Sequence, residues 1–183
     1  MENFILILKT VIGQIYRQPL GAVMAAMLFC MLFWGILGSR FSKHKIWKWL
    51  NIFVCICSVL IVLYITESSR EETDTILIVL QPFHGFIEAK TNPEMYRSML
   101  MNVLLFLPVG LSMPYALPQK ISHKAIITVL LAFALSVGIE AMQYYFHLGL
   151  CETDDVIMNT SGALIGSMSY RLNVFLEKRQ KNS

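Results

Sequence analysis

The stretch AIITVLLAFALSVGIEAMQYYF, residues 125–146, decides the fold class, because it is 22 residues long and carries one charged side chain, Glu140. A helix of about 20 apolar residues crosses the hydrocarbon core of a bilayer. An ionisable side chain at that depth costs roughly 3 kcal/mol or more unless a partner or water compensates it. The stretch therefore predicts a membrane-spanning helix and marks Glu140 as a functional candidate.

The composition of the whole chain agrees with a membrane protein. Of its 183 residues, 56% are hydrophobic and 15% are charged, and the mean hydropathy is +0.58. Soluble domains carry about 25% charged residues. The net charge of +3 is small, and no basic surface interleaved with aromatic residues suggests nucleic acid. No C-x-x-C, Cys/His or phosphate-loop pattern occurs, so neither a metal nor a cofactor is predicted. A divalent cation held by the oxygens of acids, Asn and Gln stays an alternative.

Five segments are long and apolar enough to be membrane spans. They cover residues 19–39, 47–66, 98–118, 125–146 and 155–172. Residues 76–89 are apolar but too short to cross, which predicts a re-entrant or interfacial segment on the outer side. The predicted fold is thus an all-α, polytopic membrane helix bundle of about five transmembrane helices.

An amphipathic helix is expected before the first span. Its apolar face holds Phe4, Ile5, Leu8, Val11, Ile12 and Ile15, and the segment is too short and too charged to cross the bilayer. We expect one domain in three parts. They are residues 1–75 with this helix and two spans, a membrane core at 76–172, and a cytoplasmic tail at 173–183.

The positions of the basic residues predict the orientation. If the first span enters from outside, the cytoplasmic segments hold ten of the fifteen Lys and Arg residues: Arg40, Lys43, Lys45, Lys48, Lys120, Lys124, Arg171, Lys178, Arg179 and Lys181. Basic residues are enriched in cytoplasmic loops. The sequence therefore predicts a multi-pass protein of the cytoplasmic membrane with its C-terminus in the cytoplasm.

With this orientation, polar side chains of the last three spans converge at one outer depth. These candidate ligand-binding residues are Asn102, Glu140, Gln143, Asp154, Asp155 and Asn159. The spacing of Glu140 and Gln143 (i, i+3) and of Asp155 and Asn159 (i, i+4) puts each pair on one helix face. We expect a hydrogen-bonded cluster that is open to the outside.

Structural explanations of the same residues stay open. Asp154 and Asp155 also suit the N-terminus of a helix, where acids interact well with free N–H groups and the helix dipole. Asn102 and Asn159 also suit hydrogen bonds between helices, which contribute about 0.6 kcal/mol on average. Glu140 favours a functional role, because an unpaired carboxylate at that depth is costly.

These motifs together resemble the VanZ-like family of bacterial membrane proteins. The resemblance rests on Asn102-Val-Leu-Leu-Phe-Leu-Pro-Val-Gly110, then Glu140-x-x-Gln143, then Glu152-Thr-Asp-Asp-Val-Ile-Met-Asn159-x-x-Gly162, and spans roughly residues 76–170. It implies a small multi-span protein of the cytoplasmic membrane, in a family named for a member linked to teicoplanin resistance. Many relatives carry an arginine before the two acids, whereas residues 147–152 contain none.

Two hypotheses about function follow. In the first, a resistance or envelope-homeostasis protein binds a lipid-linked wall precursor or a glycopeptide at the outer polar site. In the second, a membrane-embedded enzyme acts on an envelope lipid, with Glu140 or Asp155 as general base. Transport and a purely structural role are further alternatives. The oligomeric state is not predicted.

Overall fold

The protein is an all-α bundle with one very small sheet. The computed structural model describes residues 6–7, 10–11, 13–15, 17–68, 77–148 and 150–182. From residue 20 on, the elements are α1 (Leu20–Phe41), α2 (Lys45–Ser68), β1 (Leu77–Val79), α3 (His84–Glu88), α4 (Glu94–Ala116), α5 (Lys124–Tyr145), β2 (Leu150–Glu152) and α6 (Thr153–Lys181).

Four helices are long and apolar enough to cross a membrane: α1, α2 over Lys45–Thr66, α4 and α5. Their outward faces are apolar, and the exposed fractions of Phe29, Phe53 and Leu130 are 66%, 65% and 60%. Soluble proteins rarely expose apolar surface on this scale, whereas a bilayer covers it. The prediction of an all-α membrane helix bundle is confirmed, and the chain is a multi-pass membrane protein.

The fifth predicted span corresponds to α6, which is 29 residues long and continues to Lys181, through the predicted tail. This helix is not among the four apolar ones. Its buried residues include five polar ones: Asp154, Asn159, Ser167, Ser169 and Asn173. It packs against α1, α5 and, most extensively, α4. Because protein rather than lipid surrounds much of this helix, it can be polar; a total of five crossings stays a prediction.

Glycines allow α4 and α6 to pack closely. A Cβ atom on Gly162 would overlap the backbone oxygen of Val103, and one on Gly166 would lie 2.5 Å from the backbone oxygen of Leu107. Gly110 of α4 faces the backbone of α6 in the same way. The G-x-x-x-G pattern at 162–166 therefore serves packing within the bundle, as small residues do in membrane helices.

Two apolar clusters make up the core. The first contains Val23, Met27, Ala89, Met99, Val103, Leu107, Leu111 and Met158. The second contains Val62, Phe106, Val109, Ala132, Ile139 and Ala163. Both clusters draw on α4, which makes it a central helix of the bundle. The first also holds Ala89, so the segment after α3 is anchored in the core.

The predicted re-entrant or interfacial segment contains a strand and a short helix. Strand β1 pairs in parallel with β2, with Leu77 opposite Leu150 and Val79 opposite Glu152. The sequence did not predict this sheet, because its three-residue strands are too short for a period-two pattern and are separated in the chain by α3, α4 and α5. The pairing places the start of α6 beside the segment that contains β1 and α3.

The predicted N-terminal amphipathic helix lies partly outside the described residues, since Phe4, Ile5, Leu8 and Ile12 are not among them. The described residues between 6 and 15 are helical. Ile15 packs against the first core cluster, and Leu6 is 65% exposed.

Candidate functional site

The predicted site residues lie at one end of the bundle. Helices α4, α5 and α6 follow one another in the chain, and α6 packs against both of the others. Asn102 lies in the first half of α4, Glu140 and Gln143 lie in the last turns of α5, and the acids begin α6. We call Asn102, Ser136, Glu140, Gln143, Asp154, Asp155 and Asn159 the polar end cluster.

Helix α5 has a row of polar side chains on the face that packs against the other helices. Its buried residues include Thr128, Ser136, Glu140 and Gln143, spaced by three, four or eight positions. Large apolar side chains such as Leu130 lie exposed on other faces. Polar groups cannot be satisfied by hydrocarbon, so a membrane helix places them against neighbouring helices. This arrangement directs the stripe towards α6.

Asp154 connects the start of α3 to α6 through hydrogen bonds. Its Oδ1 accepts a hydrogen bond from the N–H of Phe83 (2.5 Å), and its Oδ2 accepts one from the N–H of Gly85 (2.7 Å). Phe83 has a positive φ of 63°, and a Cβ on Gly85 would lie only 3.1 Å from Oδ2. The side chain is buried. Asp154 thus has a structural role, and its ligand-binding role stays a prediction.

Asp155 joins α6 to α4. Asn102 donates its Nδ2–H to Asp155 Oδ1 at 2.6 Å, in a partly buried position. The two neighbouring acids therefore contact different elements, because successive side chains on an α-helix point about 100° apart. The predicted meeting of Asn102 and Asp155 is present in the structure.

Glu140 holds the chain just before α6. The backbone N–H of Glu152 donates to Glu140 Oε2 at 2.9 Å, and the Glu140 side chain is buried. Glu152 is the last residue of β2. The costly carboxylate of α5 therefore has a backbone donor, which reduces the cost of burying it.

Asn159 makes a hydrogen bond between helices, which was one interpretation of the sequence, but its partner Ser136 was not predicted. Its Nδ2–H donates to Ser136 Oγ at 2.9 Å, which links α6 to α5 inside the protein. Ser136 lies one helical turn before Glu140 and shares its face. That spacing was the available signal, but serine is common in membrane helices and does not stand out by itself. The backbone N–H groups of Phe83 and Gly85 gave no sequence signal.

Two buried amide oxygens in the polar end cluster have no hydrogen-bond partner within the described part of the chain. They are Gln143 Oε1 and Asn159 Oδ1. Most buried polar atoms in proteins are paired with protein groups or ordered water, so each of these two oxygens can accept a further hydrogen bond. The space bounded by Gln143, Leu63 and Leu148 is about 10 Å³, enough for about one water molecule. The cluster is therefore rich in acceptors.

The described residues offer no group of three His, Cys, Asp or Glu side chains that could hold a metal ion. The acceptors of the polar end cluster include three carboxylates and the two amide oxygens that lack partners among the described residues. Such a surface is suited to a ligand that donates hydrogen bonds through hydroxyl, amine or amide groups.

Comparison with known proteins identifies the chain by family. A family model described as VanZ/LLP1 matches residues 49–175. The match begins within α2, so it extends further towards the N-terminus than the motifs at 76–170. No curated protein and no solved structure matches the chain.

Proposed function

This chain belongs to the VanZ/LLP1 family, and from that premise we propose that it protects the bacterial cell envelope from the cytoplasmic membrane. Its role would be glycopeptide resistance of the teicoplanin type, or envelope homeostasis. The polar end cluster would face outward and bind a cell-surface lipid or wall precursor. The C-terminus of α6 would then lie in the cytoplasm, as the distribution of Lys and Arg residues favours.

The observation that supports binding is the pair of buried acceptors, Gln143 Oε1 and Asn159 Oδ1, beside the carboxylates of Glu140 and Asp155. Wall precursors and glycopeptides carry sugar hydroxyls and peptide amides, which are hydrogen-bond donors. A ligand that supplies donors would satisfy these oxygens. Burial strengthens such bonds, because water competes less well in a low dielectric.

The contacts of the cluster also suggest how a ligand would act on the protein. Asp155 and Glu140 connect α6 to α4 and α5 through Asn102 and the Glu152 N–H. A ligand that competes for these carboxylates would loosen the outer ends of the helices. Binding at the cluster would in this way be coupled to the packing of α6.

The test is complementation of a strain that lacks this protein. The strain would carry the wild type, Glu140→Gln, Asp155→Asn or, as a matched control, Glu88→Gln, which also converts a carboxylate to an amide in α3 but on an exposed side chain. Teicoplanin tolerance would be measured together with the abundance of the protein in membranes. We expect Glu140→Gln and Asp155→Asn to reduce tolerance to the level of the deletion strain, and Glu88→Gln to match the wild type.

Equal tolerance in all four strains at equal abundance would overturn the proposal.

The enzymatic alternative is tested with the same variants. Purified protein would be incubated with a labelled lipid-linked wall precursor, and product would be separated by chromatography. If the wild type forms product and Glu140→Gln does not, the cluster has a catalytic function rather than a binding function.

A further inference from the structure

A cavity lies at the end of the bundle opposite the polar end cluster. It is formed by the loop after α1, the start of α2, the end of α4, the start of α5 and the last third of α6, and its volume is about 360 Å³. We call it the basic cavity. Its lining includes Lys43, Lys45, Lys48 and Lys124, together with Trp47, Asn173 and Glu177. Small-molecule sites span about 300–1,000 Å³.

The charges around the basic cavity favour an anion. Four lysines line it, whereas Glu177 is the one carboxylate among the described residues of its lining. That carboxylate accepts a hydrogen bond from Ser42 Oγ at 2.5 Å. Lysines clustered around a concave surface focus a positive potential that attracts anions.

One of these lysines is buried and already positioned. Lys124 is 9% exposed, and its Nζ donates to the backbone oxygen of Leu117 at 3.1 Å. The ammonium group also lies 5.9 Å from the centre of the Tyr170 ring. An ammonium has three N–H donors, so this group can give further hydrogen bonds to an anion in the cavity.

Two buried polar atoms on residues that line the cavity lack partners among the described residues. They are the indole N–H of Trp47 and the amide oxygen of Asn173, whose residues are 6% and 2% exposed. The indole group is only a donor. A phosphate oxygen would satisfy the indole N–H, and a hydroxyl or amine next to the phosphate would satisfy the Asn173 oxygen.

Two helix N-termini add to the positive potential. Helix α2 begins at Lys45 and α5 begins at Lys124, and both residues line the cavity. The first N–H groups of a helix have no partner within the helix, and its N-terminus carries a partial positive charge. The residue before α5, His123, makes no side-chain cap.

The surroundings indicate a lipid rather than a dissolved anion. Ile46 and Trp49, which flank the cavity residues of α2, are 82% and 68% exposed. Tryptophan is enriched at the level of the lipid headgroups, and basic pockets between membrane helices bind anionic headgroups. We propose that the basic cavity binds the phosphate of an anionic phospholipid headgroup, independently of the polar end cluster.

The experiment compares two double variants that remove the same charge. Lys45→Gln/Lys48→Gln changes two cavity lysines, and Lys120→Gln/Lys178→Gln changes two exposed lysines in the neighbouring loop and in α6 that do not line the cavity. Purified full-length protein in a neutral detergent would be titrated with phosphatidylglycerol or phosphatidylcholine, and bound lipid would be counted by native mass spectrometry. Inorganic phosphate, at matched ionic strength, would serve as competitor.

We expect the wild type to bind phosphatidylglycerol more tightly than phosphatidylcholine. The cavity variant should lose about tenfold or more in affinity for phosphatidylglycerol, because each basic residue near a membrane surface strengthens the attraction to anionic lipids. The control variant should bind as the wild type does. Equal losses in both double variants would overturn the proposal in favour of nonspecific attraction. Phosphate that displaces the lipid and binds with similar affinity would overturn the choice of a lipid.

A third variant removes a negative charge from the cavity, so its affinity for an anionic lipid should rise rather than fall. Glu177→Gln removes the carboxylate from the cavity and keeps an acceptor for Ser42. Binding of phosphatidylglycerol should become severalfold tighter in this variant. If the cavity double variant does not fold, the affinity of Glu177→Gln for phosphatidylglycerol tests the proposal by itself. Unchanged or weaker binding in Glu177→Gln would overturn it.

Discussion

The Gly85 N–H donates to Asp154 Oδ2 at 2.7 Å, and these two residues are 69 positions apart in the chain. The bond joins the short segment before α4 to the first turn of α6. Because Phe83 donates to the other oxygen of the same carboxylate, one side chain holds both ends of a turn that begins α3. The connection therefore links two elements that are far apart in the sequence.

We predict that Asp154→Ala lowers the free energy of unfolding by roughly 2 to 4 kcal/mol, because two backbone donors lose a charged acceptor. Asp154→Asn should cost about half as much, since it keeps one acceptor oxygen. The measurement is denaturant unfolding in detergent, together with hydrogen exchange of the Gly85 amide. Unchanged exchange at Gly85 in Asp154→Ala would contradict the role of this bond.

Close packing of α4 and α6 leads to a second prediction. Gly162→Ala should lower the free energy of unfolding by about 1 to 3 kcal/mol, because its Cβ overlaps the backbone of Val103. Gly138→Ala is the matched control in α5, where nothing lies within 4 Å of an added Cβ. It should be neutral or stabilising by up to about 1 kcal/mol, since alanine favours helices. Thermal unfolding in detergent distinguishes the two, and equal losses would contradict the packing.

The hydrogen bond between Asn159 and Ser136 can be measured by a double-mutant cycle. Asn159→Ala and Ser136→Ala should each destabilise the protein, and their coupling should be about 0.6 kcal/mol, the average for such bonds between membrane helices. Strict additivity of the two losses in free energy of unfolding would show that this hydrogen bond does not stabilise the protein.

A substitution at Gln143 should affect function without lowering stability. Its Oε1 is buried without a partner among the described residues, and a buried polar atom without a hydrogen bond costs free energy that an apolar side chain does not. Gln143→Leu should therefore leave the free energy of unfolding unchanged or raise it by about 1 kcal/mol, and it should reduce glycopeptide tolerance. Both would be measured on the same variant. A loss of stability above about 1 kcal/mol would make Gln143 a structural residue.

The sequence predicted the helices well, because membrane spans are encoded locally. Residues 125–146 were expected to span, and α5 covers Lys124–Tyr145. The central helix α6 was also expected from residue 155, although polar side chains fill its buried face. The small sheet of β1 and β2 was missed, since its six residues pair across more than 70 positions of the chain.

The site was predicted only in part. The antiparallel order of α4, α5 and α6 was enough to bring Asn102 and Asp155 to one end, and they form a hydrogen bond. Ser136 was missed because its role depends on which face of α5 meets α6. The basic cavity has no local signal in the sequence, because its lysines come from two distant stretches, residues 43–48 and Lys124, which only the fold brings together.

By itself, the sequence determined that this is a membrane helix bundle of the VanZ/LLP1 family with acids and amides near the helix ends. Hydropathy and motif spacing are properties of short stretches, so they can be read without the fold. Only the tertiary structure decided that Asp154 binds the amides of Phe83 and Gly85 while its neighbour Asp155 binds Asn102. Two adjacent aspartates have the same chemistry, and they differ only because the helix points them about 100° apart, towards different partners.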